Sequence, residues 1–238
     1  MTGAKQIMQA QAVNNHNIAN LSTIGFRADA VSFDSAPIYG PGYATRVNAV
    51  AGDAGTDFSS GTMESTGRDL DIAVNGNGFI AVRGTDGKEA YTRAGDLRVT
   101  PAGAVTTASG LAVLSESGPL VIPPSTQVSI GSDGTISVLP QGSQPLAVTQ
   151  VDRIKLVNPP TKDLQKGDDG LLRLKSGAKA KTDDTVSVTS GLLESSNVNA
   201  AQSLISMIEL QRLYEFQIKS LNSTDTNEQS AERLMLTQ

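Results

Sequence analysis

The stretch Asn197 to Leu221, NVNAAQSLISMIELQRLYEFQIKSL, runs without glycine or proline. Leu, Met, Gln, Glu, Lys and Arg are frequent in it, so local propensity alone favours a helix. Stepping by four and three picks out Ala200, Leu204, Met207, Gln211, Tyr214, Ile218 and Leu221. All but Gln211 are apolar, a heptad-like seam along one face. At about 100° per residue, Ile205, Leu213 and Phe216 fall on nearly the opposite face. A helix resting on one core needs one stripe, whereas two opposed stripes need cover from two sides. A helix buried deep within its own domain would meet that demand, but the rest of the chain is too poor in helix to surround it.

A second helix is expected over roughly Thr2 to Leu21. Ile7, Ala10, Asn14, Ile18 and Leu21 share a line, but Ala, Gln and Asn crowd the remainder. Such a face is too weakly apolar to hold a helix alone, so this one should order against a partner such as the C-terminal helix. The segment NNHNIANLSTIGFRA then stops it. Asn14, Asn15 and Asn20 offer side-chain hydrogen bonds, Gly25 can take a left-handed cap, and Phe26 is expected to pack back onto the last turn. From Asp34 to about Arg68 the periodicity dissolves into scattered Gly, Pro and Ala, which reads as an extended connector with at most a short hairpin.

Asp71 to Glu194 reads as an antiparallel β body. Short apolar runs such as Phe79–Arg83, Ala104–Thr107, Leu111–Leu114, Leu120–Ile122, Thr135–Val138, Leu146–Gln150 and Arg153–Val157 alternate with turn signals at Asp86-Gly87, Ser109-Gly110 and Asp133-Gly134. Closely spaced short strands suggest hairpins closing into a sandwich or barrel. Helix then returns, with Ser196, Asn197 or Asn199 as candidate caps and capping-box spacing between Asn199 and Gln202. The expected class is α+β: helix and cap at 1–33, connector at 34–70, β domain at 71–194, helix at 195–238, with the chain ends meeting as a coiled-coil-like pair.

Composition removes several function classes. With 19 Lys and Arg against 24 Asp and Glu, and no basic run, the chain does not suit nucleic acid. It has no Cys, so it offers no disulfide framework or thiolate. No 18-residue apolar run would span a membrane, and MTGAKQIMQAQ lacks the apolar core of a secretory signal peptide. Gly76-Asn77-Gly78 with Ala81 matches a dinucleotide fingerprint only in letters, because FIAVR after it reads as a strand rather than a helix. Asp69 and Asp71 would share a strand face and are expected to be solvated. Asp168-Asp169-Gly170 reads as a turn, lacking the alternating ligands of a calcium loop. His16, the sole histidine, has no partners for a zinc set. No catalytic residue, metal site or cofactor is expected. A secreted β-sandwich binding module would want an exposed aromatic platform, which four Tyr and no Trp supply poorly.

Asn14-Asn15, Ile18-Ala19-Asn20, Ser22-Thr23 and Gly25-Phe26 resemble the N-terminal signature of flagellar rod and hook proteins. His16 and Asn17 lengthen its usual spacing. Leu192–Glu194, Ser196, Asn197, Val198, Asn199, Met207, Ile208 and Gln211–Glu215 are similar to that family's C-terminal signature. GNGFIAV and AYTRAGDLRV resemble the start of its shared β domain. VDRIKLVNP and LQKGDDGLLRLKSG look more like the proximal rod branch, with distal rod or hook proteins as the alternative. Family chains usually carry several residues ahead of MTGAKQ, a departure that falls on the first turn of the expected helix.

The resemblance implies a structural subunit of the basal-body rod rather than an enzyme. It implies export through the flagellar type III apparatus without a cleaved signal, and helical stacking with its own kind across the periplasm. Expected neighbours are FlgB- and FlgC-type subunits on one side and FlgG-type subunits on the other, with no membrane insertion. In such an assembly Ile205, Leu213 and Phe216 would contact neighbouring subunits, while Leu204, Met207, Tyr214 and Ile218 would meet the N-terminal helix.

Overall fold

The computed structural model describes residues 2–37, 47–51, 55–140 and 149–235. They form two long helices, α1 (Thr2–Ala19) and α2 (Ala200–Met235), and strands that all pair antiparallel, an α+β chain. The chain divides into two compact units. One comprises Met1–Leu21, Ala28–Asp57 and Val198–Gln238, the other Ser22–Arg27 and Phe58–Asn197.

In the helical unit, α2 continues past Leu221 through the polar run NSTDTNEQS. Hydroxyls there bond the carbonyl one turn back: Thr224 Oγ1 donates to Ser220 O at 3.0 Å and Ser230 Oγ to Thr226 O at 2.8 Å. The start of the expected connector is ordered in this unit as a hairpin, Phe33–Pro37 against Val47–Ala51, and Asp29–Ala30 pairs with Gly55–Thr56. Residues 38–46 and 52–54 of that stretch lie outside the described residues.

The β unit is built on a five-stranded sheet in the order Leu156–Val157, Phe79–Arg83, Glu89–Thr92, Leu172–Leu174, Leu164–Lys166. Side chains alternate across a strand, so Phe79–Arg83 sends Ile80 and Val82 into one apolar cluster and Phe79 and Ala81 into another. The larger cluster gathers Ile72, Val74, Leu97, Ile136, Ile154 and Leu156, all fully buried. At about 1.5–3 kcal/mol for each buried Val, Leu or Ile, this cluster is the main stabilising mass of the unit. Ile72–Asn75 pairs with Ser187–Ser190, and Met63–Ser65 with Leu192–Glu194.

Several strand expectations shift. The described strands spread over a five-stranded sheet, a three-stranded sheet and two-stranded pairs. Arg153–Val157 is not one strand: Arg153 pairs with Thr135, while Leu156–Val157 crosses to Ile80 and Phe79. Leu111–Leu114 and Leu120–Ile122 make only isolated bridges, such as Val82 to Val113 and Ala104 to Val121. Of Leu146–Gln150, residues 146–148 lie outside the described residues, and a strand runs Thr149–Arg153. Gly76–Gly78 joins the strand ending at Asn75 to the one beginning at Phe79, with no helix opening there, one residue shorter than the expected turn, and Asp168-Asp169-Gly170 is a turn as expected.

Candidate assembly interface

The amide-rich signature of α1 does more than end the helix. Asn14 Nδ2 donates to Ser203 O of α2 at 2.8 Å, and a β-carbon at Gly3 would sit 3.6 Å from Gln217 Oε1. The helices therefore pass each other in opposite directions. Asn17, buried, uses both ends of its amide on the backbone of Asp29: Nδ2 donates to Asp29 O at 2.8 Å and Asp29 N donates to Oδ1 at 2.9 Å. Asn20 closes the helix end on His16 O, through Nδ2 at 2.9 Å and its own N–H at 3.2 Å. Asn15 is exposed, Ile7 and Ile18 half-buried. His16 Nδ1 lies 3.0 Å from Asp29 Oδ2. At the start of α2, Asn199 is the cap, its Oδ1 accepting from Gln202 N at 3.1 Å, and Val198 before it is half-buried.

Exposure sorts the side chains of α2. Met207, Leu210, Tyr214, Ile218 and Leu221 are half-buried, following the 3.6-residue period. Leu210 was not in the expected seam. Leu204, Ile205, Ile208, Leu213 and Phe216 are 51–72% exposed, and Gln211 is also exposed, Nε2 donating to Glu215 at 3.4 Å. Leu204 is thus as open as Ile205, although it belongs to the expected seam. Leu213 borders a groove of about 280 Å³ that Ala10, Val13 and Leu210 also line. The helix therefore carries a row of large apolar side chains half or more in solvent, which an isolated surface helix does not need.

Gly25 and Phe26 belong to the β unit. Gly25 holds φ +67°, and its amide donates to Glu194 O at 2.8 Å. The Phe26 ring is buried, with Lys166 Nζ 3.9 Å from its centroid, a cation–π contact; that ammonium also donates to Arg27 O at 2.7 Å. These residues flank a buried ionic knot. Glu194 Oε1 accepts from Arg27 Nη2 at 2.7 Å and from Gly61 N at 2.9 Å, and Oε2 accepts from Arg93 Nη1 at 2.9 Å. Arg27 Nη1 reaches Ser59 O at 2.7 Å, and Arg93 donates to Val74 O and Gly76 O. Asn197, one of the candidate caps, joins it instead: its N–H donates to Phe26 O at 3.3 Å and Nδ2 to Ser59 O at 3.1 Å. Burial, and then the nearby Arg27 cation, pull the Arg93 guanidinium below its usual range, against the raising pull of Glu194. None of the three charged residues stood out in the sequence. Their only signal was that each lies inside a signature segment: GFRA, AYTRAGDLRV and GLLESSN.

Comparison with known proteins bears on the same segments. The family model described as flagellar hook protein FlgE/F/G D1 domain matches residues 73–138, which hold Arg93. The model described as flagellar basal body rod FlgEFG protein C-terminal matches residues 189–234, which hold Glu194 and nearly all of α2. The chain is 39% identical to the flagellar basal-body rod protein FlgF of Escherichia coli, over 99% of this chain and 96% of that protein. The chain belongs to the flagellar basal-body rod protein family. The FlgF of Salmonella typhimurium is 38% identical over the same shares, and a FlgG of Buchnera aphidicola is 33% identical over 93% of this chain and 94% of that protein. The rod protein is accordingly FlgF-like, and its relatives are structural proteins, not enzymes.

The paired carboxylates of this rod protein do not behave alike. Asp69 is exposed, but Asp71, expected to be solvated, is buried, with Arg68 Nη1 3.4 Å from its Oδ1. The strand begins only at Ile72, so Asp71 sits at the rim of the core, bridged to Asp96. Burial pushes the Asp96 carboxyl above its ordinary 3.8, with Asp71 adding to the shift. A raised folded-state pKa means the ionised group costs stability at neutral pH, and that cost is relieved as pH falls through the folded value. Asp96→Asn is therefore expected to raise the urea midpoint at pH 7. The gap to the parent should shrink as pH approaches 3.8, and equal midpoints at pH 7 would refute the assignment. Asp169 has the opposite sign. The Arg173 guanidinium holds its carboxyl below 3.8, a contribution present above that value and lost below it.

Proposed function

We propose that this chain is a proximal rod subunit that stacks helically with copies of itself and with neighbouring rod proteins. The observation carrying the proposal is the row Leu204, Ile205, Ile208, Leu213 and Phe216, open to solvent on a helix whose other side rests on α1. Four of the five are already about half buried, so covering what remains exposed between subunits is worth roughly half of the 1.5–3 kcal/mol that full burial of each would give, a contribution that offsets part of the cost of association. In this reading α1 and α2 act as a coiled-coil-like pair that lines the export channel, and the stacked subunits transmit torque across the periplasm. Export would follow the flagellar type III route, with FlgB- and FlgC-type subunits below and FlgG-type subunits above. The names of the relatives support the rod assignment.

Charge substitution tests it. Ile205→Asp and Phe216→Asp are expected to abolish rod assembly and motility in a strain lacking the native subunit. The soluble protein should keep its unfolding free energy to within about 0.5 kcal/mol, as surface changes do. Met207→Asp, on the inner side, should lower stability as well. Motile cells carrying Phe216→Asp, or unfolding of the soluble protein by that change, would overturn the proposal.

A further inference from the structure

Charge is unevenly spread along the β unit. Residues 153–181 hold eight basic side chains against three acidic ones, in a chain whose net charge is −5. Part of this excess gathers on one loop. Ala180 is buried and its N–H donates to Tyr91 Oη at 2.7 Å, while Tyr91 Oη donates to Glu89 Oε1 at 3.0 Å. Thr182 bridges to Val157, Asp183 N donates to Leu156 O at 2.9 Å, and Gly177 N donates to Leu174 O at 2.9 Å. The loop is therefore pinned at both ends and in its middle. Lys179 and Lys181 flank the pinned Ala180, are exposed, and have no carboxylate partner among the described residues. Beside them lies a cavity of about 610 Å³ lined by Pro159, Pro160 and Leu174 as well as by lysines. A second of about 600 Å³, which shares Leu174 and Lys179 with it, adds Arg83 and Lys88.

We propose that these two cavities and the Lys179–Lys181 loop form a docking surface for an acidic segment of a partner protein. Because the loop backbone is already held, binding has only the two lysine side chains to order, and their unpaired ammonium groups attract carboxylates. Asp163 and Asp183 in the first cavity, and Asp86 and Glu116 in the second, repel a uniformly charged polyanion. The proline and leucine floor suits a chain that mixes acidic and apolar side chains. This surface lies wholly within the β unit and does not depend on the helical stacking proposed above.

Fluorescence anisotropy with a labelled Glu- and Leu-containing acidic peptide tests this on the full chain. The parent should bind the peptide and release it as salt rises. Lys179→Glu with Lys181→Glu should weaken binding about tenfold or more, as two lost and reversed surface pairs would. Lys219→Glu on α2 should leave binding unchanged. Tyr91→Phe keeps every charge but removes the acceptor for Ala180, so an intermediate loss is expected from the loosened loop. Should the Glu pair disturb folding by circular dichroism, Lys179→Gln with Lys181→Gln gives the same reading with a smaller loss. Equal binding by parent and double variant would overturn the proposal. So would binding of heparin or phosphatidylglycerol vesicles in preference to the peptide.

Discussion

Glu194→Ala is expected to lower the unfolding free energy by about 3–5 kcal/mol, the usual cost of removing one partner from a buried ion pair. The reasoning is local. Arg27 and Arg93 are each 3% exposed and Glu194 is not exposed at all, so nothing replaces the lost carboxylate. Both arginines already leave Nε without an acceptor among the described residues. Deleting Glu194 would orphan Arg27 Nη2 as well, and leave two cations facing each other in a desolvated space. Glu194→Gln should fall between parent and alanine variant, because an amide still accepts but no longer neutralises. Total stabilities of small domains run about 5–15 kcal/mol, so the alanine variant is expected to be partly unfolded at 37 °C. Urea titration followed by circular dichroism measures this directly. A loss below about 1 kcal/mol would mean that the knot is solvated and not structural.

How much of this was readable in advance follows from which signals are local. Strands such as Phe79–Arg83 and Thr135–Pro140 were legible because apolar runs and glycine turns are properties of neighbouring residues. The two stripes of α2 were legible through period, although Leu204 is open and Leu210 half-buried. Met63–Ser65 was missed because its three residues are all exposed and are ordered by Leu192–Glu194, far along the chain. The same reason hid Arg27, Arg93 and Glu194: an ionic knot joining positions 27, 93 and 194 leaves no spacing to read. Phe26 belongs to the β unit, where the Lys166 ammonium lies over its ring, a neighbour 140 positions away that local sequence does not announce.

Gly25→Ala carries the next largest expected effect, about 2–4 kcal/mol, from two causes that can be separated. The first is conformation: at φ +67° an alanine pays roughly 1–2 kcal/mol for the left-handed region. The second is space, since a β-carbon there would overlap the backbone carbonyl of Arg93 and the amide of Ala94. Gly67 supplies the control, with φ +68° and open space where a β-carbon would go. Gly67→Ala should therefore show the conformational cost alone, and the excess at Gly25 measures the contact. Backbone displaced at Arg93 would also disturb the guanidinium bond to Glu194, so the two sites share a structure. Gly25→Ala and Glu194→Ala together should cost less than their sum, with a coupling of about 0.5–3 kcal/mol. Strict additivity in that cycle would separate the glycine of the N-terminal signature from the ionic knot. A measured coupling would mean that the two signatures are joined through Glu194, whose backbone carbonyl holds Gly25 and whose side chain holds Arg27.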